Sequence, residues 1–91
     1  MRFEWDNQKA ERNVRKHGIT FTNAATAFGD PLSLTIPDPQ SLVSEERYLI
    51  IGAMAVSGLV VVSFTERGDS VRIISARRPT RTEVRAYEDE G

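Results

Sequence analysis

LVVVSFTERGDSVRIISARRPT, residues 59–80, is the stretch that decides the predicted fold. It contains two runs rich in β-branched side chains, at 59–64 and 71–76, and each run has the length of a β-strand. Residues 66–69 between them include a glycine and predict a tight turn, and Pro79 ends the second run. Because so short a turn joins antiparallel strands, this stretch predicts the centre of an antiparallel sheet.

Two more strands are predicted on the N-terminal side of this hairpin. Apolar and polar side chains alternate over residues 32–36, and residues 48–53 form a short apolar run. A turn at Ser57-Gly58 joins the second of these strands to the hairpin. The four strands therefore predict a mainly antiparallel sheet in meander order.

Capping side chains set the bounds of three predicted helices. Asp6 is a natural N-cap for the first helix, and Gly18 is placed to end it. Thr20 opens a second short helix, and the T-x-x-E pair of Thr80 and Glu83 starts a last one. The predicted fold class is therefore α+β, with two N-terminal helices, a four-stranded, mainly antiparallel sheet and a C-terminal helix.

Composition limits the class of protein. A chain of 91 residues predicts one small domain over residues 1–91, and 40% hydrophobic residues are ordinary for a globular protein. The absence of cysteine excludes a disulfide scaffold and a zinc site built on thiolates. The N-terminus is charged rather than apolar, and the longest apolar run is far too short to cross a bilayer. We expect a cytosolic protein.

Charge is strongly segregated although the formal net charge is only −1. Residues 67–85 contain six arginines and two acids, whereas residues 19–66 are acidic. The chain uses ten arginines and two lysines, and the planar guanidinium favours bidentate binding of phosphate or carboxylate. The arginines could instead pair internally with the acidic middle segment. Strict alternation along the last strand predicts Arg72 and Arg77 on opposite faces of the sheet.

Four other side chains are candidates for chemistry. Lys9 and Lys16 share one face of the first helix and predict either phosphate contacts or a solvated basic face. His17 is the only histidine, so it is either a cap at the helix end or a proton-transfer group. A carboxylate at Glu45 or Glu46 could act as a general base near the arginines, and spacing does not choose between them.

The chain resembles the BrnT family of small toxins from type II toxin–antitoxin systems over nearly its whole length. The blocks that carry the resemblance are FEWDNQKAERNVRKHGITF at 3–21, FGDP at 28–31, SEERYLIIG at 44–52 and VVVSFTERGDSVRIISARRPTRTE at 60–83. The resemblance implies a RelE-like fold and an endoribonuclease that inhibits translation. The cleavage reaction is expected to need no metal or other cofactor. It also implies a BrnA antitoxin of the ribbon-helix-helix type, with operator DNA bound only through the complex.

The resemblance also supplies a hypothesis for the site. The expected catalytic residues are Lys9, His17, Glu46, Arg67 and Arg77. The expected substrate-binding residues are Arg47, Arg72, Arg78 and Arg81. The arginines would stabilise a phosphorane, and the lysine, histidine and glutamate would transfer protons, leaving a 2′,3′-cyclic phosphate. Family members often carry a histidine in the loop that matches PDPQS at 37–41, and this chain has none there.

Two other interpretations stay open at this point. The chain could be a non-catalytic binding module that keeps the toxin fold and acts through an antitoxin or operator DNA. It could also be a small globular domain whose arginines are paired internally, which predicts weak and nearly salt-independent binding of RNA.

Overall fold

The computed structural model describes residues 1–90. Its strands and helices, in chain order, are β1 (Arg2–Glu4), α1 (Asn7–His17), α2 (Phe21–Ala25), β2 (Leu34–Pro37), β3 (Tyr48–Ala53), β4 (Leu59–Arg67), β5 (Ser70–Arg77) and α3 (Arg81–Glu90). A 3₁₀ turn (Thr26–Gly29) continues α2. No helix of the described residues is long and apolar enough to cross a membrane.

The predicted helix caps are confirmed. The Asp6 side chain accepts hydrogen bonds from the first-turn amides of α1, and Gly18 ends that helix at a φ of 70°, where glycine has no Cβ to clash. Thr20 caps α2 through the amide of Asn23. Thr80 and Glu83 exchange hydrogen bonds at the start of α3, as a capping box does.

The predicted fold class is wrong, because the sheet has five strands and is mixed. The strand order is β1-β5-β4-β3-β2, with β1 parallel to β5 and every other pair antiparallel. The extra strand precedes both N-terminal helices and is only three residues long, RFE. Alternation cannot be recognised over so few residues, and its pairing with residues 70–72 is a tertiary contact.

The main core lies between one face of the sheet and the segment around α2. Ile19, Phe21, Ala24 and Ala27 are 0–2% exposed and pack in one cluster with side chains of β3, β4 and β5. Trp5, Phe28 and Tyr48 pack against the same cluster, and Phe28 contacts Phe64 edge to face. These aromatic residues are therefore used in the core.

A β-bulge interrupts the pairing of β4 with β5. Ser63 pairs with Ser75, but the next residue, Phe64, pairs with Ile73. Ile74 is therefore an extra residue on β5, and the alternation of side chains shifts by one position there.

This bulge places Arg72 and Arg77 on the same face of the sheet, which we call the outer face because it is turned away from the main core. Arg72 pairs with Thr65 and Arg77 with Val61, and both partners alternate with the core-facing side chains of β4. The prediction that the two arginines lie on opposite faces is wrong, because it assumed an uninterrupted period of two.

α3 packs on part of the outer face, against β2 and β3. The Tyr87 hydroxyl donates to Asp30 Oδ2 at 2.7 Å, and the same oxygen accepts from the amide of Ala53 at 2.8 Å. This contact joins α3 to the end of β3. Beyond α3, the outer face of β5 is left partly accessible, and Arg72, Ser75 and Arg77 are half-buried there.

Candidate functional site

The accessible part of the outer face contains a cavity of about 270 Å³, which we call the central cavity. Its lining combines two arginines, one aspartate, one glutamine and two serines with apolar side chains: Asp38, Pro39, Gln40, Arg47, Leu49, Ser63, Ile74, Ser75 and Arg77. β3, β4 and β5 supply its floor, and the loop between β2 and β3 supplies one wall. A cavity with convergent polar groups on an open sheet face is the default binding site of a small domain.

Arg77 is held in one orientation by α3. Its Nη1 and Nη2 donate to Oε1 and Oε2 of Glu83 at 2.7 and 2.9 Å, an end-on bidentate pair. The Arg77 hydrogen bond lowers the pKa of Glu83 to about 2. The guanidinium has five N–H groups, so this pair leaves its side edge, formed by Nε and Nη2, with donors for a second anion.

We expect the Arg77–Glu83 pair to contribute stability that is lost in acid. The folded-state pKa of Glu83 is lowered from 4.5 to about 2, so the contribution is complete above pH 4.5 and disappears as the pH falls toward 2. Because the Arg77 side chain is 37% exposed, screening reduces the contribution to about 1–2 kcal/mol. Urea unfolding of the wild type and of Glu83→Gln measures it. The difference between the two should shrink as the pH falls, and a difference independent of pH would contradict the assignment.

A second groove adjoins the central cavity on the side of α1, and we call it the helix-side groove. It has a volume of about 200 Å³ and is lined by Lys9, Arg12, Asn13, Lys16, His17, Ile74 and Ser75. The two cavities share Ile74 and Ser75. Predicted residues from opposite ends of the chain, Lys9, His17 and Arg77, therefore lie around one continuous surface.

The cations of the helix-side groove are free of acidic partners. Within residues 1–90, Lys9, Arg12 and Lys16 form no ion pair within 4.0 Å, whereas Arg47, Arg72 and Arg77 each do. Unpaired cations on a surface attract a polyanion more strongly than paired ones. The helix-side groove is thus the most available positive surface next to the central cavity.

Glu46 and Arg67 lie in a different place, the acidic cavity. This cavity, of about 450 Å³, is lined by Ser44, Glu45, Glu46, Tyr48, Thr65, Glu66 and Arg67. The Glu46 carboxylate accepts from the Tyr48 hydroxyl at 2.8 Å, which raises the pKa of Tyr48. The acidic cavity shares no lining residue with the central cavity, so the structure does not bring all five predicted catalytic residues together.

Glu45 differs from Glu46 in its partners. Its carboxylate accepts from Arg47 at 3.1 Å and from Arg67 at 3.4 Å, and the Arg47 hydrogen bond is the largest cause that lowers the pKa of Glu45. Glu45 therefore joins an arginine of the central cavity to one of the acidic cavity. A carboxylate held by two arginines is poorly suited to accept a proton.

The remaining predicted arginines have separate roles. Arg72 pairs with Glu4 of β1 at 3.1 Å, next to the parallel strand contact. Arg78 donates to the backbone carbonyls of Ser57 and Leu59 and so holds the β3–β4 turn. Arg81 is exposed at the start of α3. These three are placed around the outer face rather than in the central cavity.

Asp38 is a site residue that the sequence reasoning missed. It follows β2 directly, is 8% exposed and lines the central cavity beside Arg77. The segment PDPQS has the composition of a surface loop, which gives no indication that its carboxylate is buried. Its contact with Ser63, across 25 residues, arises only when the loop folds onto β4.

No group of three or more His, Asp or Glu side chains that could hold a metal ion occurs among residues 1–90.

Comparisons with known proteins identify one family and one fold. A family model described as "Ribonuclease toxin, BrnT, of type II toxin-antitoxin system" matches residues 5–83. The 1.1 Å crystal structure of the Brucella abortus ribonuclease toxin BrnT superposes with a TM-score of 0.68 at 23% sequence identity, covering 89% of this chain and 99% of that one. At this identity the superposition shows a shared fold. No curated protein sequence matches the chain significantly.

Proposed function

The chain belongs to the BrnT family of ribonuclease toxins of type II toxin–antitoxin systems, and on that premise we propose that it cleaves RNA in the central cavity. The observation that carries the proposal is the position of Arg77, which lines the central cavity and is bound end-on by Glu83, so that its side edge has no acidic partner among residues 1–90. A guanidinium fixed in this way can bind a phosphate without first losing its side-chain freedom. Cleavage of messenger RNA in the cytosol would inhibit translation.

The proposed reaction is attack of a ribose 2′-hydroxyl on the adjacent phosphorus. Negative charge increases on the equatorial oxygens of the phosphorane, where the side edge of Arg77 can stabilise it. Lys9 and His17 of the helix-side groove are the proposed donors of a proton to the leaving 5′-oxygen. The products are a 2′,3′-cyclic phosphate and a 5′-hydroxyl end, and the reaction needs no metal.

Other residues that line these cavities are proposed to bind the RNA chain on either side of the cleaved phosphate. Arg12 and Lys16 extend the positive surface along α1, and Arg47 lines the central cavity. Glu46 and Arg67, in the acidic cavity, are proposed to contact a flanking nucleotide rather than the reacting phosphate. This assignment modifies the catalytic role first expected for these two residues.

A toxin of a type II system is neutralised by a protein antitoxin. We propose that the partner of this chain is a BrnA-like protein of the ribbon-helix-helix class and that operator DNA is bound by the complex through the antitoxin. Competition for the outer face between antitoxin and RNA would explain the neutralisation. Added antitoxin should then stop RNA cleavage at a stoichiometric ratio.

Product analysis tests the reaction. We expect purified protein to cleave an oligoribonucleotide in the presence of EDTA and to leave a 2′,3′-cyclic phosphate. A matched oligonucleotide with a single 2′-deoxyribose at the cleavage position should resist, because it lacks the attacking hydroxyl. A 5′-phosphate product, cleavage of the deoxy-substituted strand or loss of activity in EDTA would each contradict the mechanism.

The same experiment separates catalysis from the alternative function. A non-catalytic binding module would retain oligoribonucleotides in a salt-dependent manner but would release them intact. Internally paired arginines would give weak binding with little salt dependence.

A further inference from the structure

Asp38 is a buried carboxylate that the reaction described above does not use. Its Oδ2 accepts from the hydroxyl of Ser63 at 3.1 Å, and its Oδ1 accepts from the amide of Gln40 at 2.9 Å. The backbone amide of Asp38 also donates to the carbonyl of Arg47 at 2.9 Å. These bonds hold the carboxylate in one orientation at the wall of the central cavity.

The carboxylate is still able to accept a proton. Each carboxylate oxygen has two lone pairs, so one acceptor position remains on Oδ1 and one on Oδ2. In the part of the chain that the structure describes, no cation lies within 4.0 Å of it, because Arg47 is bound to Glu45 and Arg77 to Glu83. Both arginines of the cavity are thus oriented by other acids, and Asp38 has no ion-pair partner to displace.

Position favours Asp38 over the other carboxylates. Asp38 and Arg77 line the same cavity, so a phosphate bound there by Arg77 would bring its adjoining ribose close to the carboxylate. Glu46 lies in the acidic cavity and already accepts from Tyr48. Glu45 is held by two arginines.

We infer that Asp38 is the general base of the RNA cleavage, an inference that rests on the proposed function. The 2′-hydroxyl transfers its proton to an Oδ atom, and the 2′-oxygen forms a bond to phosphorus. The bond between phosphorus and the 5′-oxygen breaks, and that oxygen takes a proton from an ammonium or imidazolium group of the helix-side groove. Asp38 then loses its proton to water, and the donor group of the helix-side groove regains a proton from water, which together restore the starting state.

Three variants test the base. Asp38→Asn keeps the size of the side chain and should reduce the cleavage rate by about 10²–10⁴-fold, the usual contribution of a general base. Ser63→Ala removes the hydrogen bond to Oδ2 but keeps the carboxylate, so its loss of cleavage rate should be much smaller than that of Asp38→Asn. In Asp38→Ala, added formate should restore part of the lost rate, because a small carboxylate can occupy the space.

Each outcome decides the question. If Asp38→Asn cleaves RNA at the wild-type rate, Asp38 has a purely structural role. The same holds if Asp38→Asn and Ser63→Ala lose equal activity and the loss follows their melting temperatures. Failure of formate to restore cleavage by a folded Asp38→Ala would also overturn the inference. If Asp38→Asn is inactive at the same time as formate rescues Asp38→Ala, the base is established.

A wild-type measurement covers the case in which these variants do not fold. The cleavage rate should fall in acid while the protein stays folded, because a protonated carboxylate cannot accept the 2′-proton. The charged groups facing Asp38 are Arg77 of β5 and Arg47 before β3, together with their partners Glu83 and Glu45. If Glu83→Gln keeps the same acid limb as the wild type, Glu83 is not the group responsible and the assignment to Asp38 is supported, whereas a rate that does not change in acid overturns the inference.

Failure of this inference and failure of the proposed function are distinguishable. If cleavage requires Arg77 but not Asp38, the proposed ribonuclease function stands and Asp38 is not its general base. A wild-type protein that cleaves no RNA overturns both.

Discussion

Replacing Arg77 with glutamine is expected to reduce the rate of RNA cleavage by about 10²–10³-fold, the usual effect of removing one donor that stabilises charge in a transition state. Glutamine fills part of the same space, but it has neither the positive charge nor the second nitrogen donor of the guanidinium side edge. Cleavage of a labelled oligoribonucleotide under single-turnover conditions measures the effect. Arg77→Lys should also be strongly impaired, because a lysine keeps the charge and loses the planar pair of donors.

Two controls distinguish lost chemistry from lost stability. Glu83→Gln breaks the same ion pair from the other side, so it should lose similar stability, but it should lose less activity than Arg77→Gln because it keeps the guanidinium. Arg15→Gln makes the same chemical change on an exposed arginine whose side chain is 76% accessible, and it should leave cleavage unaltered. If Arg77→Gln is folded and cleaves at the wild-type rate, Arg77 is not the phosphate-binding group. Equal impairment of Glu83→Gln would instead indicate that the ion pair itself is what activity requires.

Asn13→Ala is expected to lower the free energy of unfolding by about 2–4 kcal/mol, because it leaves two buried backbone groups without partners. Asn13 is 6% exposed; its Nδ2 donates to the carbonyl of Ile19 at 2.9 Å, and its Oδ1 accepts from the amide of Ala76 at 3.0 Å. One side chain thus joins α1, the start of α2 and the edge of β5 that β1 does not cover. Urea denaturation measures the change, and the melting temperature should fall by roughly 10–20 °C.

Asn7→Ala is the matched control for this prediction. It removes an exposed asparagine from the same helix and should change the free energy of unfolding by less than about 0.5 kcal/mol. Asn13→Asp adds a sharper test, because a carboxylate can still accept from Ala76 but cannot donate to Ile19. If Asn13→Ala is as stable as Asn7→Ala, the two buried groups have found other partners and the assigned role is wrong.

Local signals predicted the elements of the fold but not the complete sheet. Asp6, Gly18, Thr20 and the pair Thr80–Glu83 act within one helical turn, and each cap is where the sequence places it. The strand β1 has no such signal, because three residues are too few to show a period. Its role depends on the distant residues 70–72, with which it pairs.

The candidate site was predicted only in part. The resemblance placed Lys9, His17 and Arg77 among the expected catalytic residues, and the structure brings these three around adjoining grooves. It places Glu46 and Arg67 in another cavity, because they lie toward the far end of β4. Which cations are available is also a tertiary property: within residues 1–90, Lys9, Arg12 and Lys16 of α1 form no ion pair, whereas Arg72 and Arg77 of the last block are bound to acids.

What the amino-acid sequence determined by itself is therefore what depends on near neighbours: the caps, the four longer strands, the excess of arginine and the blocks that carry the family. What only the tertiary structure decided depends on pairing across the chain. The bulge at Ile74 turns Arg72 and Arg77 to one face, and the loop that folds onto β4 buries Asp38 beside Arg77. Backbone hydrogen bonds between strands set the register, and a shift of one residue exchanges the two faces of a strand. No rule of alternation along a single strand contains that information.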